Sequence, residues 1–178
     1  MDELQVLHDV TARLEEAGIP YMLTGSMAMN YYAEPRMTRD IDVVVDLEQS
    51  EVPVLISGFQ PEYHVSCEAV RDAVQRRSMF NLIHRESVLK IDFVLRKRTR
   101  YREVEFDRRR RVQLGDTEVC VVSKEDLIIS KIAWAEESQS EVQERDVRNL
   151  MATGYDEDYV EHWLKELDLH DFTERWLE

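Results

Sequence analysis

The chain of 178 residues is long enough to bury one substantial core, and its composition is that of an ordinary globular protein. Its net charge of −14 argues against bulk, non-specific binding of nucleic acid. Cys67 and Cys120 form no Cys-x-x-Cys motif and no segment has the length of a membrane span, which disfavours zinc knuckles, disulfide frameworks and membrane insertion and leads us to expect a cytoplasmic protein.

The first predicted elements are a helix, a short strand and a second helix. Apolar residues at helical spacing predict an amphipathic helix over residues 4–17, which ends before Gly18. Residues 21–24 indicate a buried strand and residues 26–32 a helix, so Gly25-Ser26 is a strand-to-helix turn. Glycine permits close approach to the backbone, and the first N–H groups of a helix have no helical partner. The turn is therefore a candidate phosphate site, although such a turn alone is more often only a connection.

An apolar run with two carboxylates at its start follows a polar connection. Residues 40–45 predict a strand in which Asp40 and Asp42 face one way and Ile41 the other. Two like charges side by side on a sheet are destabilising unless a cation lies between them, and a divalent metal would meet that need. The paired acids together with the preceding turn favour a metal–nucleotide site, whereas a lone pair of this kind could be a solvated strand end.

These residues resemble the signature of the nucleotidyltransferase superfamily, whose fold is that of DNA polymerase beta. The motif is Gly25-Ser26 followed by Arg36-x-Thr38-x-Asp40-x-Asp42. Its form resembles in particular the AbiEii-like nucleotidyltransferases, which include toxins of type IV toxin–antitoxin systems. The resemblance implies an α+β fold, a mixed sheet flanked by helices, Mg²⁺ on the paired acids, and a nucleoside triphosphate bound by the other four motif residues. It also implies a third acid on a later strand, then a lysine and an aspartate on later helices.

The third acid lies in a predicted hairpin. Helices are predicted over residues 48–58 and 66–75, followed by antiparallel strands over residues 79–84 and 88–95. Asp92 lies among apolar residues of the second strand, where an unpaired acid is costly to bury, so it faces either a site or water at an edge. The resemblance identifies Asp92, in the sequence Lys90-Ile91-Asp92, as the third carboxylate. It would then complete a second Mg²⁺ position and accept the proton of the attacking hydroxyl.

A basic stretch follows this strand. Residues 96–111 contain nine basic and three acidic residues, so they contribute +6 and the remainder of the chain carries −20. The stretch is either a binding surface, for example for an RNA or protein acceptor, or a contact for acids of this chain or of a partner. Because it comes directly after the strand of Asp92, we expect it to leave the sheet close to the proposed metals. A further hairpin is predicted over residues 112–114 and 118–122.

From Ser123 onward the sequence predicts helices, which suggests a core over residues 1–122 and a helical segment over residues 123–178. The predicted helices cover residues 124–136, 140–153, 156–167 and 171–177. Lys131 lies on an apolar helix face, where it either extends to solvent or meets an anion inside. The resemblance favours the anion, with Lys131 neutralising the leaving pyrophosphate. Asp146, in Arg145-Asp146, resembles the family's last nucleotide-binding element.

The sequence therefore predicts a nucleotidyltransferase that moves a nucleoside monophosphate from a Mg–NTP to a hydroxyl group. Its catalytic residues would be Asp40, Asp42, Asp92 and Lys131. A toxin-like enzyme would modify RNA or a protein, with an antitoxin or a second copy of the chain as a partner. An aminoglycoside- or lincosamide-like antibiotic is the alternative acceptor, because an acidic protein attracts cations. A non-catalytic nucleotide-binding partner protein is the third interpretation.

Overall fold

The computed structural model describes residues 2–34, 40–138 and 140–169. Over these residues the chain has a mixed α+β fold, as predicted, with helices on both faces of a seven-stranded sheet. The strands are β1 Tyr21–Thr24, β2 Asp40–Val45, β3 Tyr63–His64, β4 Met79–His84, β5 Lys90–Leu95, β6 Arg110–Leu114 and β7 Thr117–Val121. Their order across the sheet is β3-β4-β5-β2-β1-β7-β6.

The helices alternate with the strands along the chain. They are α1 Glu3–Glu16, α2 Gly25–Tyr32, α3 Val52–Phe59, α4 Cys67–Arg76, α5 Arg100–Asp107, α6 Lys124–Ser138, α7 Glu141–Ala152 and α8 Glu157–Glu166, with a 3₁₀ turn at Gln49–Glu51 before α3. Ser66 is the N-cap of α4, as its sequence position predicts, and its side chain accepts a hydrogen bond from the backbone N–H of Ala69.

The two faces of the sheet carry different side chains because successive residues of a strand point to opposite faces. On one face, Leu23, Val43 and Phe93 join the core beneath α1, α3 and α4. On the other face, Met22 and Val44 pack against residues of α2 and of α6 to α8. The even-numbered residues of β2 and β5 therefore point toward the face on which the C-terminal helices lie.

Some elements differ from those that the sequence predicts. Helix α5 lies inside the basic stretch, where no element is predicted, and the two-residue strand β3 is also absent from the prediction. The predicted helix over residues 171–177 and the motif residues Arg36 and Thr38 lie outside the described residues. The division at residue 122 stays a prediction. Among the described helices, none is long and apolar enough to cross a membrane.

Candidate active site

Three carboxylates meet at one end of two neighbouring parallel strands. In β2, Ile41 is buried in the core while Asp40 and Asp42 point to the opposite, more open face. Strand β5 pairs with β2 in a register that sets Asp92 beside Asp42 and Lys90 beside Asp40. Paired strands lie about 4.8 Å apart, so these side chains are immediate neighbours. Asp40, Asp42 and Asp92, which we call the carboxylate cluster, are thus brought together as the sequence suggests.

Within the carboxylate cluster, Asp42 has a raised pKa. Burial, followed by the charges of Asp92 and Asp40, raises the pKa of Asp42 from 3.8 to about 6, and the ammonium groups of Lys131 and Lys90 offset only part of this effect. Both burial and like charges disfavour the ionised carboxylate. Burial and the neighbouring carboxylates thus disfavour the ionised form of Asp42, and an added cation would stabilise that form.

The Gly25 turn lies against this cluster. Strand β1 pairs with β2 so that Thr24 is opposite Asp42, and α2 begins at the next residue. Gly25 has φ +63°, and an added Cβ would lie 2.0 Å from Oδ2 of Asp42. Any side chain at this position would clash, so glycine is required both for the backbone conformation and for the contact. The contact places the N-terminus of α2, with its second residue Ser26, beside the carboxylates.

A lysine already lies between two of the carboxylates. Nζ of Lys90 is 2.8 Å from Oδ2 of Asp92 and 3.9 Å from Oδ1 of Asp40, and the Lys90 side chain is 41% exposed. The hydrogen bond to Asp92 raises the pKa of Lys90. Lys90 has no predicted role in the signature motif, although the two-residue period of a strand places it on the same face as Asp92.

The second oxygen of Asp92 has different surroundings. Asp92 is only 7% exposed, and its Oδ1 is buried with no hydrogen-bond partner among the described residues. A buried polar atom without a partner is unfavourable. Carboxylate oxygens with this deficit fit a hard divalent cation such as Mg²⁺. Within residues 2–34, 40–138 and 140–169, however, no three acidic, histidine or cysteine side chains already have metal-binding geometry.

Lys131 and Asp146, predicted separately as site residues, form one buried pair. Nζ of Lys131 lies 2.8 Å from Oδ2 of Asp146 and 3.1 Å from Oε1 of Gln143. Lys131 is 1% exposed, so it does not extend to solvent, and the anion it meets inside is Asp146. The charge of Lys131 also lowers the pKa of Asp42, so the pair lies close enough to the carboxylate cluster to act on it electrostatically.

A cavity of about 120 Å³ continues from Thr24 along the same face of the sheet. Val44 and Val94 line it from the strands, Ser130 and the exposed Trp134 line it from α6, and residues of the basic stretch, among them Arg96 and Arg102, line it as well. Thr24, which pairs with Asp42, is the lining residue next to the carboxylate cluster, and the space is small and partly apolar.

The basic stretch leaves the sheet at the opposite end, which corrects the expectation from the sequence. The backbone N–H of Arg96 donates to the carbonyl of Val45, at the C-terminal end of β2. Arg96 follows Asp92 by four residues, which corresponds to about 13 Å along a strand. The error has a simple cause: the acids stand early in their strands, and the arginines follow the last residue.

Arginines of the basic stretch also have partners within the chain. The pairs are Arg96 with Asp46 at 2.7 Å, Arg98 with Glu48 at 2.5 Å, Arg102 with Glu105 at 2.7 Å, Arg108 with Asp126 at 3.1 Å and Arg111 with Glu118 at 3.2 Å. Of the interpretations left open by the sequence, the contact with the chain's own acids is the one present here. A surface for RNA stays a prediction.

Neither family models nor curated protein sequences match this chain. Its structure is similar to that of ANT(2″)-Ia in complex with adenylyl-2″-tobramycin, with a TM-score of 0.62 and 15% identity, covering 98% of this chain and 98% of that one. It is similar to lincomycin-bound LnuA, a lincosamide antibiotic adenylyltransferase (TM-score 0.56, 16% identity, 86% and 98% covered). A third similar structure is an antigenic nucleotidyltransferase-like protein from Paracoccidioides brasiliensis (TM-score 0.54, 18% identity, 85% and 75% covered).

These likenesses confirm the predicted fold. The described part of the chain has a nucleotidyltransferase-like fold, and the first comparison covers 98% of the chain. The finer resemblance to AbiEii-like toxins stays a prediction. At identities of 14 to 18%, the similarity to these structures shows the backbone fold alone. The chemistry of the site depends on this chain's own residues.

Proposed function

We propose that this protein is a nucleotidyltransferase that transfers a nucleoside monophosphate from a Mg–NTP to a hydroxyl acceptor. The observation that carries the proposal is the contact between Gly25 and Asp42, because it joins a helix N-terminus to a cluster of three carboxylates. Phosphate groups favour the first element and divalent cations the second. A Mg–NTP is a ligand that would use both at once.

The residues present fit Mg²⁺. Asp40 and Asp42 would hold the metal that accompanies the triphosphate, and Asp92, with its partnerless buried Oδ1, would contribute to a second position. When bound, Mg²⁺ would neutralise phosphate charge and lower the pKa of an attacking hydroxyl. The raised pKa of Asp42 supports this assignment, because a bound cation would stabilise the ionised carboxylate that burial and the neighbouring acids disfavour.

The chain's own groups would perform the remaining steps. Backbone N–H groups at Gly25 and Ser26 would bind phosphate oxygens, with Arg36 and Thr38 nearby in sequence. The acceptor oxygen would attack the α-phosphorus, pyrophosphate would leave, and Asp92 would take the proton of the hydroxyl. Lys131 would act through its charge on Asp42, held in position by Asp146, because its buried side chain has little freedom to reach a ligand.

For the acceptor we propose a small cationic molecule. A net charge of −14 attracts cations, and two of the similar structures hold an antibiotic or its adenylylated form. The feature that favoured RNA was a basic stretch beside the metals, but that stretch lies about 13 Å from Asp92 along the strand. A toxin-like enzyme acting on RNA or a protein is the alternative, with residues 96–111 as its contact surface.

The binding of Mg–NTP is tested by calorimetry of the metal-free protein with ATP, GTP, CTP and UTP, each with and without Mg²⁺. We expect Mg²⁺-dependent binding of at least one of the four, and a loss of at least about 100-fold in affinity in Asp40→Asn and Asp42→Asn. Asp46→Asn is the matched control, since Asp46 follows β2 at its other end and pairs with Arg96. No binding by the wild type, or equal binding by both variants, would refute the proposal.

The acceptor is tested by label transfer from the NTP that binds. Tobramycin, lincomycin and total tRNA are offered as acceptors to the wild-type protein at low salt. We expect label on a cationic small molecule and none on tRNA. Transfer to tRNA that weakens steeply with salt would favour the toxin-like alternative instead.

A further inference from the structure

The ammonium group of Lys90 lies at a place where the proposed function puts a metal. Its Nζ is within 3.9 Å of Asp40 Oδ1 and 2.8 Å of Asp92 Oδ2, and these two carboxylates come from different strands. A cation that touches acids of both β2 and β5 does electrostatically what a bridging Mg²⁺ would do. Lys90 is thus a resident positive charge in the carboxylate cluster.

The charges around the cluster show why this lysine matters. Asp40, Asp42 and Asp92 supply three negative charges. The ammonium group of Lys131 also lowers the pKa of Asp42, but it is buried and hydrogen-bonded to Asp146 at 2.8 Å. Lys90, in contrast, forms ion pairs directly with two of the three carboxylates. A divalent ion at the same place would compensate the cluster more fully than the single charge of Lys90.

The two lysines also differ in how freely they can move. Lys131 is 1% exposed and hydrogen-bonded to two side chains, so it is fixed in position. The Lys90 side chain is 41% exposed, and a lysine can turn its flexible stem toward water. Lys90 can therefore be hydrated when it leaves Asp92, whereas the nearly buried Asp92 would need a metal ion in its place.

We propose that Lys90 is an exchangeable counter-ion that holds the position between Asp40 and Asp92 and yields it when the metal–nucleotide binds. The inference rests on the proposed function and adds a role for a residue outside the signature motif. A free metal ion would have to displace Lys90 without help. A triphosphate contributes oxygen ligands of its own, so metal and nucleotide would bind tightly only together.

The experiment measures Mn²⁺ binding to the nucleotide-free protein by electron paramagnetic resonance. We expect Lys90→Met and Lys90→Gln to bind Mn²⁺ about three- to tenfold more tightly than the wild type, since the competing ammonium is gone. Lys97→Met is the matched control: this exposed lysine follows the same strand at its far end, and we expect no change in Mn²⁺ affinity. Thermal melting should show a larger Mg²⁺-induced rise in Tm for the Lys90 variants than for the wild type.

The outcomes separate this inference from the proposed function. Equal or weaker Mn²⁺ binding by folded Lys90→Met and Lys90→Gln would overturn the exchange, even where Mg–NTP binding is intact. A gain in Mn²⁺ affinity of the same size in Lys97→Met would also overturn it, because the effect would then be one of general charge. A gain confined to the Lys90 variants, without NTP binding by any form, would support competition between Lys90 and a metal ion for this position and would refute both nucleotidyl transfer and the exchange with a metal–nucleotide.

Discussion

The carboxylate cluster and the basic stretch are both concentrations of like charge, but they are built in opposite ways. In the basic stretch, arginines at five positions lie within 3.2 Å of an acid of the same chain. In the cluster, one partly exposed lysine forms ion pairs with two of the three acids, and Oδ1 of Asp92 has no hydrogen-bond partner in the described part of the chain. Charge that remains uncompensated in the folded protein, more than charge density along the sequence, is therefore the feature from which we infer a ligand site.

The largest change in the free energy of unfolding is expected at the buried ion pair of Lys131 and Asp146. Lys131→Met leaves Asp146 buried without its 2.8 Å partner, so we expect the free energy of unfolding to fall by about 3–5 kcal/mol. Urea denaturation measures this loss. The double variant Lys131→Met/Asp146→Leu should recover much of it, because two apolar side chains replace two charges. A loss below about 1 kcal/mol in Lys131→Met would show that the pair is not a buried ion pair in solution.

The next largest effect is a pH dependence of folding stability that arises from Asp42. Its pKa is raised from 3.8 to about 6 in the folded protein, so its contribution to stability is complete below pH 3.8 and is lost as the pH rises through about 6. Asparagine does not ionise, so Asp42→Asn does not lose stability in this way as the pH rises. In metal-free buffer we therefore expect the variant to gain about 3 kcal/mol relative to wild type between pH 4 and 7.

Denaturation of both proteins across this pH range, with and without saturating Mg²⁺, measures the effect. The metal favours the ionised carboxylate, so it should reduce the advantage of the variant above pH 6. A stability difference between the two proteins that stays constant from pH 4 to 7 in metal-free buffer would contradict the raised pKa of Asp42.

The smallest effects are expected in the basic stretch. Arg96 is 19% exposed, pairs with Asp46 at 2.7 Å and lies over the ring of Phe106, so Arg96→Gln should cost about 1–2 kcal/mol. Arg98 is 62% exposed, and Arg98→Gln should change stability by less than about 0.5 kcal/mol. Neither change should alter NTP affinity by calorimetry. A tenfold loss of NTP affinity in Arg98→Gln would show that the basic stretch contributes to NTP binding.

Short-range patterns were predictable from the sequence. The two-residue period of β2 places Ile41 on one face and Asp40 and Asp42 on the other, and Gly25-Ser26 predicts the turn at the start of α2. The strand carrying Asp92 was also predicted, because its apolar run is long. In each case a local rule of backbone geometry decides the outcome.

Long-range pairing was not predictable in the same way. Lys131 and Asp146 stand on separate helices, and nothing local to α6 or α7 shows that their side chains meet. Helix α5 was missed because its run of charged residues has only a weak apolar stripe, and its burial depends on contacts with distant elements. The direction in which the basic stretch leaves the sheet, in contrast, followed from strand length alone and could have been derived.

The pairing of β1 with β2 has a consequence for how this chain could be altered. Opposite Asp42 stands Thr24, and the neighbouring pair Leu23 and Val43 lies in the buried layer beneath α1. Slippage by one residue would turn both acids into that layer and expose Ile41 in their place. The alignment of the carboxylates therefore depends on buried side chains on the other face of the sheet. Substitutions on the open face, other than at Gly25, should leave that alignment intact as long as the buried layer keeps its volume.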